Sequence, residues 1–348
     1  MIFFKYLIFF TFLQGFSSAY AKIVDTGAAG KNTRVCLEFG VGGYHRFKPN
    51  CSGWTQYAGK KVFMSYNSLG LRDREYSKKA AAGVKRILVL GSSSVEGLVL
   101  DEKKSPPRQL EKILRKQKMK VEVINAALEG YFTVLNSIRL SKYLDAYSPD
   151  FVLVELPRFA SVFTDMLIAD DYLIKVNNTP TRLRQDLDVY LPSGVANFLA
   201  ERGYSNDLLT FNMALGRLLL SWKIKLAAST EQKNKYAFAA ADDAFKYMER
   251  ISKSRNAKFL VFFYDMPITN QYNLPPDWNV AMAKFFDFFT PKIEVSSAEI
   301  EKNLDGNLIP KIRLSFVNDE KPVTVSGDYH FNERGATRWA EELSLKIR

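Results

Sequence analysis

Two short stretches hold the residues whose types and spacing suit covalent chemistry. Gly91-Ser92-Ser93-Ser94-Val95-Glu96-Gly97 directly follows the apolar run Ile87-Leu88-Val89-Leu90. A strand that stops at a glycine and turns into a helix exposes its next side chains at the sheet edge. A serine there sits among free helix N–H groups, which stabilise negative charge. Such a serine can be a nucleophile whose own N–H helps hold an oxyanion; equally, the run can be a serine-rich helix cap. Near the other end lies Gly327-Asp328-Tyr329-His330-Phe331-Asn332-Glu333-Arg334-Gly335. An Asp two residues before a His can orient the imidazole and fix its tautomer, leaving the other ring nitrogen to face a nucleophile. The plainer alternative is a turn with a surface histidine. The chain's other histidine, His45, has no catalytic partner near it in sequence and reads as structural.

The elements that must position these residues alternate strand with helix from residue 86 onward. Strands are predicted at Ile87–Leu90, within Val121–Leu128, at Phe151–Leu156 and at Phe259–Tyr264. Helices are predicted over Pro106–Gln117, with Ser105 as the cap, and over Thr133–Tyr147, Tyr236–Ser254 and Glu333–Ile347. This order predicts an α/β fold: a three-layer sandwich with a mainly parallel sheet covered on both faces. Ligands of such sheets bind beyond the carboxyl ends of the strands. Both chemical stretches follow or face that edge.

Residues about 158–232 are too long for a structureless loop in a compact domain. Helical patterns at 195–202 and 207–226 predict a helical insert there, with Leu215, Leu218, Leu219, Leu220 and Trp222 forming an apolar stripe. That stripe suits packing on the sheet, or a lid over an acyl site. Residues 22–85 form a lead-in rich in Gly, Asn and Lys that holds both cysteines. Residues 1–21 carry one cation, Lys5, then an apolar run and Ala19-Tyr20-Ala21. This is the pattern of a cleaved secretory signal, so the chain is expected to be exported, periplasmic or secreted. The alternative is an uncleaved anchor. Cys36 and Cys51, an even pair in such a chain, suit a disulfide, two buried thiols being the alternative.

The chain has 348 residues, 47% of them hydrophobic and 25% charged, as expected for a globular protein with a sizeable core. Its formal charge is +12. The cations are scattered, with no block of the nucleic-acid type. The excess suits anionic envelope polymers or phospholipid head groups, and hence association with a membrane surface, a merely soluble basic surface being the equal alternative. Two Cys and two His give no ligand cluster at a metal-binding spacing. The turn after the first strand lacks the Lys and the G-x-G-x-x-G of phosphate loops. No cofactor or metal is expected.

The sequence resembles the SGNH (GDSL-type) superfamily of esterases and acyltransferases over roughly residues 65–157 and 258–348. Asn67, Gly70 and Arg72 match an N-x-x-G-x-R stretch before the first strand. Gly91, Ser93 and Gly97 match G-D-S-x-x-x-G. Asn125 and Gly130 match N-x-x-x-x-G, and Asp328, His330, Asn332 and Gly335 match D-x-H-x-N-x-x-G. The resemblance implies a flavodoxin-like SGNH hydrolase fold. It also implies Ser93 as nucleophile, His330 and Asp328 as its activating pair, and the N–H groups of Ser93 and Gly130 as oxyanion donors. Two departures stand out. Ser92 replaces the usual Asp. Leu156-Pro157-Arg158-Phe159-Ala160 replaces G-x-N-D, removing an Asn donor whose loss costs about 10²–10³ in rate.

Two functions are therefore expected to compete. One is an exported serine esterase or O-acyltransferase that works through an acyl-enzyme on esters of envelope glycans or lipids. The other is an inactive binding or assembly protein of the cell envelope on the same fold.

Overall fold

The computed structural model describes residues 36–39, 45–57, 60–129, 131, 133–156, 173–176, 179–183, 244–265, 310–316, 321–325 and 330–347. The lead-in contains β1 (Leu37–Phe39) paired antiparallel with β2 (His45–Phe47), and β3 (Ser52–Tyr57) paired antiparallel with β4 (Lys60–Ser65). Cys36 and Cys51 form a disulfide with Cα atoms 5.7 Å apart. These four strands were not predicted. Along Lys61–Ser65 the burial alternates, Val62 and Met64 inward, which is the two-residue period of a half-buried strand.

The main domain then runs β5 (Lys85–Leu90), α1 (Ser93–Glu96), α2 (Pro106–Lys116), β6 (Val121–Asn125), α3 (Thr133–Tyr147) and β7 (Phe151–Glu155). Next come β8 (Leu173–Val176), β9 (Thr179–Leu183), α4 (244–253), β10 (Lys258–Asp265), β11 (Lys311–Ser315) and α5 (Glu333–Lys346). The central sheet has the order β11-β10-β7-β5-β6 and every pairing is parallel. Numbered along the chain, its strands lie in the order 2-1-3-4-5, the flavodoxin-like arrangement. The strand order reverses between β5 and β7, the position beyond whose carboxyl ends such sheets bind ligands.

Alternation along each strand splits the core in two. Leu88, Leu90, Val152, Val154 and Val261 pack on one face with residues of α3 and α4 and with Val62 and Met64 of the lead-in. Ile87, Val89, Leu153, Phe262 and Leu314 pack on the other, against Leu110 and Leu114 of α2 and Trp339 and Leu343 of α5. Trp339 is fully buried and meets Phe262 edge-on at 5.4 Å. The expected three-layer α/β architecture is present. β11 was not predicted: Lys-Ile-Arg-Leu-Ser is a five-residue edge strand in which only Ile312 and Leu314 face inward. Within the predicted helical insert, the described residues form the antiparallel hairpin β8–β9. The helices expected at 195–202 and 207–226, and the leader at 1–21, lie outside the described residues.

Candidate active site

The turn that carries Ser93 begins where β5 ends. Gly91 carries no Cβ because one there would lie 2.8 Å from Glu155 Oε2 and 2.9 Å from Val95 Cβ. Ser92 is extended, and the chain then makes the single turn α1 before Gly97 closes it in the left-handed region at φ 81°. The N–H groups of Gly97 and Leu98 both donate to the Ser93 carbonyl at 3.1 Å. The cap reading of the serines is not met: Ser92 occupies the cap position without a side-chain cap bond. Ser105, before α2, likewise makes none. As the first residue of α1, Ser93 has an N–H that no carbonyl of the helix takes. It is thereby available to an oxyanion.

Two of the matched sequence blocks hold this turn. Asn67 accepts from the N–H groups of Leu69 and Leu71 at 3.0 Å and donates to the Arg74 carbonyl at 3.0 Å. Gly70 has φ 74°, and a Cβ there would lie 2.3 Å from the Phe47 carbonyl oxygen. This bend sends Arg72 inward. Its buried guanidinium donates to the carbonyl of Gly97 at 2.5 Å and to that of Leu100. Arg72 thus clamps the far end of the turn. Asn125, at the end of β6, donates to the Glu96 carbonyl at 3.1 Å and receives the Ala127 N–H at 3.3 Å. The Glu96 carboxylate in turn accepts from the Glu129 N–H at 2.6 Å, joining the turn to the loop after β6. Burial pushes the Glu96 carboxyl up to about 7, against the pull of Arg72.

The histidine arrives from the opposite end of the chain. His330 precedes α5 in a short extended segment: its carbonyl receives the Val325 N–H at 3.0 Å, and Phe331 bridges Thr324. Asn332 caps α5 by accepting the Gly335 N–H at 2.9 Å. Its amide donates to the carbonyls of Pro322 at 2.9 Å and Thr324 at 2.8 Å. Gly335 is a glycine because a Cβ would fall 1.9 Å from the Val323 carbonyl oxygen. This lock sets His330 Nε2 at 2.7 Å from Ser93 Oγ, across 237 residues of sequence, with both side chains almost fully buried. A serine hydroxyl donating to a neutral imidazole is the ground state of general-base activation.

Of the expected site residues, Ser93 and His330 are therefore brought together. Asp328 and Gly130 lie outside the described residues, as do Pro157 to Ala160. His45 falls in β2, in register with Phe39. Sequence reasoning missed Glu155, the last residue of β7. It is fully buried and accepts the Ser92 N–H through Oε2 and the Tyr264 hydroxyl through Oε1, both at 2.5 Å. The available signal was a lone carboxylate inside the apolar run Phe151–Leu156. Among the described residues no group of three or more His, Cys, Asp and Glu is placed to hold a metal ion. None of the described helices is long and apolar enough to cross a membrane.

No family model matches the chain, and no curated protein does. Among solved structures it is similar to the psychrotrophic esterase EstA from Pseudoalteromonas sp., at 14% identity and TM-score 0.37, covering 75% of this chain and 97% of that one. It is also similar to a lipase/acylhydrolase from Enterococcus faecalis, at 13% identity and TM-score 0.38, covering 76% and 95%. A GDSL-like lipase from Bacteroides thetaiotaomicron is similar at 12% identity and TM-score 0.34, covering 76% and 87%. These three structures are named as an esterase, a lipase/acylhydrolase and a GDSL-like lipase.

Proposed function

We propose that the chain is a serine ester hydrolase or O-acyltransferase in which Ser93 is the nucleophile and His330 its general base. The observation that carries this reading is the 2.7 Å contact between Ser93 Oγ and His330 Nε2. It lies at the strand-order reversal, where α/β sheets bind their ligands. As Ser93 Oγ attacks an ester carbonyl, its proton passes to His330 Nε2 and the carbonyl oxygen becomes an oxyanion beside the Ser93 N–H. His330 then returns the proton to the leaving alkoxide, the C–O bond breaks, and an acyl-Ser93 remains. Water or a sugar hydroxyl, deprotonated by His330, attacks this acyl-enzyme and releases acid or a new ester. In this reading Asp328 orients His330, and the Gly130 N–H is a second oxyanion donor.

An ester borne by an anionic cell-envelope glycan or lipid is the substrate class we favour. It is supported by the net charge of +12. The Cys36–Cys51 disulfide supports work outside the cytoplasm. The test is fluorophosphonate labelling of the purified protein followed by peptide mass spectrometry. A single adduct on Ser93, lost in Ser93→Ala and His330→Ala, is expected. A folded protein without an adduct on Ser93 would replace this reading with that of an inactive envelope binding or assembly protein.

A further inference from the structure

We propose that Glu155 is a positioning residue of the site. It holds the nucleophile turn by accepting the Ser92 N–H, and its carboxylate form balances the charge His330 takes up when Ser93 loses its proton. The inference rests on the Ser93 reading above and extends it.

Three observations carry it. First, the carboxylate is fully buried at the carboxyl end of β7, across the strand-order reversal from β5, and the nucleophile turn closes over it. Gly91 is what permits this closure, since a Cβ there would stand 2.8 Å from Glu155 Oε2. Second, its hydrogen bonds favour the charged form. The Ser92 N–H can only donate, and it does so at 2.5 Å. The Tyr264 hydroxyl donates to the other oxygen at 2.5 Å, and the Ser92 hydroxyl adds a further bond. Third, the groups facing it come from three elements. They are Ser92 from the turn, Tyr264 from β10, and His330 from the segment before α5, whose positive charge favours the carboxylate. Its neighbours Val154 and Leu156 bring no charge. Burial raises the Glu155 carboxyl above its usual range, and the three facing groups offset only part of that rise. A buried carboxylate is costly to keep, and here its bonds go to the residue before the nucleophile. In the 2.7 Å Ser93–His330 pair, the imidazole becomes a cation as the serine attacks. A negative charge on Glu155 that acts on that cation stabilises it in the transition state more than in the ground state.

Glu155→Gln tests this because it keeps the shape and an oxygen for the Ser92 N–H but deletes the charge. The fluorophosphonate labelling rate of the full chain is measured against pH for the parent, Glu155→Gln, Glu155→Asp and Tyr264→Phe, with circular dichroism as the folding control. In the parent, labelling rises along an acid limb to a plateau. In Glu155→Gln that limb moves to lower pH, and the plateau rate falls by at least about tenfold. Tyr264→Phe, which keeps the charge, leaves the limb in place. A limb and plateau in folded Glu155→Gln equal to those of the parent would overturn the proposal while leaving the Ser93 reading intact. An unlabelled parent overturns both. Should Glu155→Gln not fold, Glu155→Asp decides: retained charge with a lowered plateau supports the proposal, and parental rates at every pH reject it.

Discussion

Asn332→Ala removes the fastening between α5 and the histidine segment, and its cost follows from three bonds. The side-chain oxygen caps α5 through the Gly335 N–H, and such caps contribute about 1 kcal/mol. The amide donates to the half-buried Thr324 carbonyl, worth about 1 kcal/mol net. The bond to the Pro322 carbonyl lies at the surface, where water can replace it, and adds a few tenths. The expected loss is about 2–3 kcal/mol, read as a lower denaturant midpoint at unchanged slope. Asn332→Asp keeps the cap and the favourable charge at a helix start but can donate to neither carbonyl. Its loss should be about 1–2 kcal/mol. Because His330 stands two residues upstream on the same segment, labelling of Ser93 should fall by about tenfold or more in Asn332→Ala, a small misplacement being enough. A folded Asn332→Ala protein within 0.5 kcal/mol of its parent, with undiminished labelling, would refute the idea that this cap positions the histidine.

Two further outcomes follow from the buried charges and the crosslink. Burial lifts Glu96 from 4.5 to about 7, so the folded chain binds more protons than the unfolded one between those values. Stability should then fall as pH rises from 4.5 to 7, by up to about 3 kcal/mol from this group. Asp73, raised to about 6 by burial against the pull of Arg108, runs in the same direction over a lower window. Glu96→Gln can still accept the Glu129 N–H. Its stability relative to the parent should therefore rise steadily across that range in denaturant titrations, and a constant difference would count against a raised Glu96. Replacing Cys36 and Cys51 together by Ser opens a loop with a sequence separation of 15 and should cost about 3 kcal/mol. Hydrogen exchange should localise the loss to β1–β4; uniform protection in both forms would count against it.

The main sheet was readable because its strands are buried on both faces. Runs such as Ile87–Leu90 and Phe151–Leu156 carry no alternation to confuse. Elements with one exposed face were harder. β11 shows two inward residues among three polar ones, and its Lys and Arg resemble a loop. β3 and β4 carry Trp54 and Phe63 on the outward face, 54% and 44% exposed, so hydrophobicity alone does not separate their two sides. Glu155 escaped notice for a related reason: one charge in an apolar strand reads as a strand end until the turn that covers it is known.

The matched blocks also divide by physical role in a way spacing alone could not reveal. Ser93 and His330 are the pair in contact. The other described motif residues act on the backbone. Arg72 ties down the carbonyls of Gly97 and Leu100, Asn125 that of Glu96, and Asn332 those of Pro322 and Thr324. Each of these clamps ends on a carbonyl within eight residues of Ser93 or of His330. Two loops separated by 237 residues must hold a 2.7 Å contact. A one-turn helix has too few internal bonds to fix its own position. External donors to its carbonyls supply that fixity. This accounts for why long side chains with several N–H groups, Arg and Asn, recur at these positions around so small a chemical centre.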